Sequence, residues 1–517
     1  MQKSDIIVQV ETYCAEEVPT KEFKESEMAE QPTLDLVYAL CRALDTEGVA
    51  YCHWKSNAAL DRSAKGENDL DLLVSRADAQ LFAGILCRLG FKQAQAIPQQ
   101  QLPAVVSYYG YDKGAERLVH VHAHYQLIVG HDATKNYRLP IERPFLESAI
   151  HDGLFRIPVP EFEFIAFVIR MVLKHSTWDA FLGRYCTLSK AERYELQYLQ
   201  SRVNQAEVHA ILAQHLPYVD AGEFEDCIQS LRPDCPTWTR IKAGQKLQTS
   251  LRAQARRPRA SDVYLKLRYR VVSAIRRRIR GRLPRERLAS GGAMIAIIGG
   301  DGAGKTTALA ELCEWLSKDF DTVRVHMGKP PRSWITVIVR GILKIGNLLG
   351  LYPYMRARIE YTAEPYGPEF PGYPWLLRGV CTARDRYLTY VKARRFVNNG
   401  GLAVCDRFPL PQVKLMDGPH CERMTRTIQT NRFIKLLIAL EKRYYQPIAL
   451  PEVLIVLKVD PEIAVQRKTD EDAASVRARS TEIWELDWRE TPAHVLDASR
   501  SKADVLSDLK ALVWSQL

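Results

Sequence analysis

No two of the chain's 11 cysteines stand in C-x-x-C spacing. An odd count without such a pair speaks against both a disulfide framework and a zinc ribbon, so a reducing compartment, the cytoplasm, is expected. An uninterrupted apolar run near the start is also missing. "MQKSDIIVQVETYCAEEVPTKEF" sets charges into every short apolar stretch and leaves no h-region of a cleavable signal. The best membrane-spanning candidate, "WITVIVRGILKIGNLLGLYPY" (Trp334 to Tyr354), holds Arg340 and Lys344, each costly at a bilayer centre, and reads as a packed helix. No internal repeat is present.

What is there is ordinary globular material. With 517 residues, 46% hydrophobic and 26% charged, the chain divides into roughly three domains. The net charge of +11 is local: Arg240 to Arg287 holds 17 Lys or Arg against two acids, and removing that excess of 15 leaves the rest at −4. Within it, "SDVYLKLRYRVVSAIRRRIRGRLP" (261–284) sets Val263, Leu267, Val271, Ile275 and Ile279 at four-residue spacing, a basic amphipathic helix. Three uses stand open: a connector whose stripe packs on a domain, a contact with anionic membrane, or a nucleic-acid contact. Lipid ranks above nucleic acid because the stripe is apolar and no aromatic-basic platform accompanies it.

The pattern divides into a loose polar tail (1–30), a small α+β unit (31–150), a helical region (151–239), the basic helical linker (240–290) and a region of alternating strands and helices (291–517). That last alternation predicts an α/β fold, a parallel sheet with helices on both faces.

Its first strand, "MIAII", runs into Gly299, Gly300, Asp301, Gly302, Ala303, Gly304, Lys305, Thr306 and Thr307, which satisfies G-x-x-x-x-G-K-[ST]. Glycines let consecutive amides curl around an anion, and the following helix N-terminus adds partial positive charge. Lys305 then reaches the outer phosphates of ATP and the Thr306 hydroxyl ligates Mg²⁺. No Asn in the chain precedes a Lys, so the N-K-x-D guanine reader is missing and a GTP switch is unsupported.

Beyond this loop, "NNGGLAVCDRFPLP" (Asn398 to Pro411), "LPEVLIVLKVDPEIAVQRK" (Leu450 to Lys468) and "HVLDASRSKADVLSDL" (His494 to Leu509) follow in order. In these motifs the region Ala293 to Leu517 resembles the thymidylate kinases. The resemblance implies a nucleoside-monophosphate-kinase fold in which Asp406 holds Mg²⁺ through water and Arg407 reaches the transferring phosphate. It further implies that Arg467, Arg477 and Arg479 lie on a lid closing over ATP, and that Arg384 or Arg386 beside Asp385, with Lys329, helps hold the acceptor. Solvated faces for the lid arginines and a strand-end ion pair for Asp406 and Arg407 are the plainer alternatives. Two departures stand out: "VRVHMGKPP" offers only Gly328-Lys329-Pro330 where the family carries Arg-Glu-Pro-Gly-Gly, and the thymine-reading Ala-Tyr-Gln is missing from "FPLPQVKLMDGPH". The expected partner is a small-molecule phosphate acceptor, a nucleotide though not necessarily dTMP.

"YCHWKSNAALDRSAKGENDLDLLV" in turn resembles the opening of the nucleotidyltransferase fold. Alternation along a strand sends Asp69 and Asp71 to one face, where two carboxylates can share metal ions. Lys55-Ser56 stands where that family has Gly-Ser, and His122 replaces the third acid, with His120 and His124 on the same strand face. Imidazoles there can ligate a transition metal with Asp69 and Asp71, or simply form a polar face. Three functions follow as alternatives: a kinase, a regulatory ATP-binding protein without acceptor turnover, and a nucleotidyltransferase with an accessory P-loop domain.

Overall fold

The computed structural model describes residues 33–96, 101–175, 187–280, 285–351, 372–415, 418–425, 428–429 and 431–517. The tail assigned to 1–30, the 281–284 end of the basic segment and the 352–354 end of the apolar run lie outside the described residues.

The N-terminal unit is a mixed sheet made of β1 (Tyr51–His53), β2 (Leu70–Val74), β3 (Lys92–Gln95), β4 (Val105–Asp112) and β5 (Arg117–His124). Two small hairpins follow, β6 (Leu127–Val129) with β7 (Tyr137–Leu139) and β8 (Ile150–Asp152) with β9 (Phe155–Ile157). In β5 the odd positions Val119, Val121 and Ala123 are buried with the helix Asp35–Thr46 through Val37, Leu40 and Leu44. His120 and His122 therefore project from the opposite face, as the two-residue period of a strand requires. β2 lies parallel to β5 with Asp71 opposite His122. The helix Pro160–His175 is buried along nearly its whole length and shares one core with Trp54 and Leu73 of the sheet.

The linker is drawn differently from the charge pattern. Helix Thr237–Ser250 belongs to the helical core, where Leu247 is fully buried, so basic content at 240–250 does not mark a free linker. The basic helix proper is Arg259–Arg280, and after it β10 (Arg287–Leu288) pairs antiparallel with the edge strand β3. That extra strand gives the order β1-β2-β5-β4-β3-β10 and ties the N-terminal sheet to the C-terminal half. Tyr109 meets Phe320 edge-on at 4.8 Å, and the Trp514 indole N–H donates to Gly90 O at 3.1 Å.

β11 (Ala293–Gly299), β12 (Thr322–His326), β13 (Leu402–Asp406), β14 (Val453–Lys458) and β15 (Ala493–Asp497) form an all-parallel sheet in the order β12-β13-β11-β14-β15. Every residue of the central β11 is buried, as expected for a parallel strand covered on both sides. Helices Lys305–Ser317 and Lys502–Gln516 cover one face through Leu309, Leu312 and Leu509. Helix Tyr373–Asn398 covers the other through Tyr390 and Val397. The expected α/β fold is what forms.

Two helices leave an apolar face to solvent, one of them against the packing expected of it. In Trp334–Leu348 only Thr336 is buried, while Trp334, Val337, Ile338, Ile342, Ile345 and Leu348 are each more than half exposed. The packed-helix expectation fails because this helix touches the body through the helix Tyr373–Asn398 along its polar side, with Arg340 reaching Thr382 at 3.4 Å. In the basic helix, likewise, Asp262 turns inward and pairs with Lys266 at 2.7 Å. Val263, Leu267 and Ile275 consequently face outward. No helix among the described residues is long and apolar enough to cross a membrane.

Candidate functional site

β11 ends at the loop the motif marked. Gly302 and Gly304 take φ of +78° and +79°, a region that β-carbons disfavour. At Gly302 a Cβ would also lie 2.5 Å from Ala464 O, and at Gly300 2.6 Å from Ser480 Cα, so the loop closes against two neighbouring elements only with glycine there. Ser480 Oγ donates to Asp301 O at 2.9 Å and fastens helix Ala473–Glu485 to the loop.

Lys305 is the first residue of the next helix, and its buried Nζ donates to Gly300 O at 2.6 Å and lies 3.7 Å from Asp301 Oδ1. Burial holds its ammonium below the ordinary lysine value, against the pull of Asp301. Thr306 and Thr307 are exposed to the same cavity of about 530 Å³.

Asp406 closes β13, the strand beside β11, and stands in register with Ile297. Its Oδ2 lies 3.5 Å from Nδ1 of His326 at the end of β12. Arg407 follows with φ of +53°, a conformation rare for a side-chain-bearing residue. Such strain clusters at functional sites, and here it turns the guanidinium back to within 4.0 Å of Asp301 Oδ1. Parallel strands thus deliver Lys305, Asp406 and Arg407 to one cavity at their C-terminal ends, where open α/β sheets bind ligands.

The lid arginines separate. Arg479 is buried, pairs with Asp301 Oδ2 and lies 3.0 Å from Glu471 Oε2. Arg477, two residues back on the same helix, points about 200° away. It forms a two-pronged pair with Glu462 at 2.8 and 2.9 Å on the outer surface. Arg467 lines the cavity and donates to Ala498 O at 2.8 Å.

Arg500, Lys502, Val505 and Leu506 complete the far wall and had escaped notice in the sequence. The signal was topological: β15 is next to β14 at the sheet edge, so the turn after it faces the same crevice.

On the supposed acceptor side, Arg386 is buried and committed, with Nε donating to Met327 O at 2.7 Å, Nη2 to Gly328 O at 3.3 Å and Nη1 to the Tyr445 hydroxyl. Arg384 donates to Ser333 Oγ at 2.6 Å, and Asp385 accepts from Ser333 N at 3.2 Å. These residues hold the loop Met327–Ser333 in place, whereas Lys329 is exposed. None of Lys329, Arg384 and Arg386 lines the phosphate cavity.

The N-terminal sheet gathers a second cluster. His120 Nδ1 lies 3.0 Å from Asp69 Oδ1, and His122 Nδ1 lies 3.7 Å from Asp69 Oδ2 and 3.4 Å from Asp71 Oδ1. Asp69 with His120 and His122, and Asp71 with His122 and His124, each bring three ligand atoms within 4.8 Å of one another. Lys55 Nζ already sits 2.9 Å from Asp71 Oδ1. Burial opposes ionisation of Asp71, yet Lys55, His122 and His124 hold its carboxyl well below the usual range.

The Gly-Ser position is closed. Ser56 takes φ of +62°, its amide donates to Glu195 Oε1 at 3.1 Å, and the Asn57 amide donates to Glu163 Oε1 at 3.2 Å. Both amides beside the position of the expected Gly-Ser are thereby taken by two carboxylates of the helical region.

No family model matches the chain. Among proteins of Escherichia coli K12, that named "Uncharacterized ATP-binding protein YghR" is 28% identical over 243 residues, covering 42% of this chain and 91% of its own length. A solved structure, thymidylate kinase from Ehrlichia chaffeensis, aligns at 18% identity over 43% of this chain and 97% of that one, with a TM-score of 0.24. "Uncharacterized ATP-binding protein YghS" of the same Escherichia coli strain is 30% identical over 224 residues, with 40% of this chain and 90% of YghS covered. Through its P-loop half, the chain belongs to the family of YghR and YghS.

Proposed function

We propose that the protein is an ATP- and Mg²⁺-dependent phosphotransferase of nucleoside-monophosphate-kinase type that acts on a small-molecule acceptor. The observation that carries this reading is the convergence of Lys305, Asp406 and Arg407 on one glycine-lined cavity at the C-terminal ends of parallel strands, with Arg479 behind them on Asp301 of the cavity wall. ATP as the donor is supported by the names of YghR and YghS as ATP-binding proteins.

The loop amides and Lys305 bind the β and γ phosphates and fix their direction. Arg407 and Arg479, both now turned on Asp301, supply positive charge where the transferring phosphoryl group develops negative charge. Thr306 and Asp406 offer the hard oxygen donors that suit Mg²⁺, whose chemistry at such a site is to neutralise phosphate charge. Arg467 and Arg500 edge the far end, beside Val505 and Leu506, where a flat base finds apolar contact. The missing thymine reader leaves the acceptor class broader than dTMP.

The test is product formation from labelled ATP and Mg²⁺ against a panel of nucleoside monophosphates and sugars, with Lys305→Ala and Asp71→Ala alongside. Product lost only in Lys305→Ala is expected. Product lost only in Asp71→Ala would move the chemistry to the N-terminal sheet as a nucleotidyltransferase, and ATP binding without product would make the protein a regulator.

For the N-terminal sheet the reading is a divalent transition-metal site without nucleotidyl transfer. Glu195 and Glu163 accept from the Ser56 and Asn57 amides, so two carboxyl groups occupy the place of the family's Gly-Ser and disfavour an anionic nucleotide there. The separations of 3.0 and 3.7 Å from Asp69 to His120 and His122 are near the edge of a tetrahedron with metal bonds of about 2 Å. Mixed imidazole and carboxylate donors suit zinc and its neighbours. Purified protein is expected to carry such an ion, removable by chelator and reduced several-fold in His122→Ala; unchanged metal content in both His122→Ala and Asp71→Ala ends the idea.

A further inference from the structure

The helix Arg259–Arg280 presents an apolar stripe to solvent. Val263, Leu267, Val271 and Ile275 are each at least half exposed. The helix meets the body instead through the buried Asp262 and the half-buried Leu265 and Tyr269. At 100° per residue the four apolar side chains span an arc of about 120°. Arg270 falls about 20° outside one edge and Arg268 about 20° outside the other. Both arginines are exposed, as is Arg278, which falls within the arc. Over the whole helix eight Lys or Arg stand against the single acid Asp262, whose charge Lys266 already meets at 2.7 Å.

An apolar stripe edged by cations on an otherwise water-facing helix complements one kind of surface, an acyl layer under anionic headgroups. The apolar side chains enter the acyl boundary, and the arginines lie at the level of the lipid phosphates with their stems along the stripe. A duplex nucleic acid matches the charge but leaves the stripe in water. The helix Trp334–Leu348 repeats the combination independently: between Lys329 and Leu351 the sequence has four basic residues and no acid, and six large apolar side chains of that helix are more than half exposed. We infer that the protein docks peripherally on an anionic lipid bilayer through the outward face of Arg259–Arg280, a helix that lies on the membrane rather than crossing it.

The test is co-sedimentation of the full chain with vesicles of phosphatidylcholine alone or mixed with phosphatidylglycerol. Strong retention on the anionic vesicles is expected, falling at least tenfold on the neutral ones and in high salt, which screens the headgroup charge. The double variant Val271→Asp/Ile275→Asp is expected to lose retention at least tenfold while keeping its thermal midpoint, since both positions face solvent. Arg268→Gln/Arg278→Gln should lose it severalfold and flatten the salt dependence. Equal retention on neutral and anionic vesicles, unchanged retention of both variants, or preference for duplex nucleic acid over vesicles would overturn the inference.

Discussion

Lys305→Ala is expected to lower phosphoryl transfer from ATP by at least about 10³-fold, a loss of about 4 kcal/mol of transition-state stabilisation. The ammonium is buried against the Gly300 carbonyl, 3.7 Å from Asp301 Oδ1, on the cavity wall. An alanine leaves the outer phosphates without that charge, and water cannot replace it at the same depth. Lys305→Arg is not expected to restore activity, because a planar guanidinium does not fit a buried site built for a single ammonium. In the alanine variant Arg407 and Arg479 still face Asp301, so the fold is expected to persist and to show a cooperative melt. That separates the result from simple unfolding. Rates from labelled ATP, read beside ATP binding and the melting curve, check the outcome; wild-type turnover in Lys305→Ala removes the P-loop from the chemistry.

Glu163→Gln is expected to stabilise the protein increasingly as pH rises, by on the order of 3 kcal/mol at pH 8. Burial pushes the Glu163 carboxyl up from 4.5 to about 7, with Asn57 opposing and Glu195 adding to the rise. The folded chain therefore holds this proton more tightly than the unfolded chain. The stabilisation linked to it is full below about pH 4.5 and is lost as pH climbs through about 7. Glutamine keeps an oxygen to accept from the Asn57 amide and removes the titration. The variant-minus-wild-type difference should be small near pH 5 and grow through pH 7 in denaturant titrations. A difference independent of pH would show that Glu163 stays charged in the fold. Because Glu163 and Glu195 clasp the Ser56 and Asn57 amides, the same titration reports on how firmly the helical region holds the edge of the N-terminal sheet.

Much of the P-loop site was legible before any coordinates. A glycine-rich loop between a strand and a helix is written within about a dozen residues, and Asp406-Arg407 closes a strand whose apolar run is equally local. The same holds for amphipathicity, since the four-residue spacing of Val263, Leu267, Val271 and Ile275 is a property of one helix. Local periods depend on backbone geometry, and backbone geometry is the same wherever the helix ends up.

What escaped is what depends on distant partners. Arg477 and Arg479 look alike in sequence, yet one meets Asp301, 178 residues away, and the other a neighbouring glutamate. Arg386 carries the right charge for a substrate but is spent on the carbonyls of Met327 and Gly328, 59 and 58 residues off. Lys55-Ser56 keeps the place of a nucleotidyltransferase Gly-Ser, but Glu195 and Glu163, from 139 and 106 positions further along the chain, take the amides of Ser56 and Asn57.

The sequence by itself thus determined the phosphate loop, the parallel α/β half and the existence of one basic amphipathic helix. Only the tertiary structure decided which arginine enters the site, which amides are already taken and which apolar faces are left to water. Local preference sets what an element can offer, but a charge or an apolar stripe acquires its role from the group that finally faces it. That group is chosen by the packing of the whole chain.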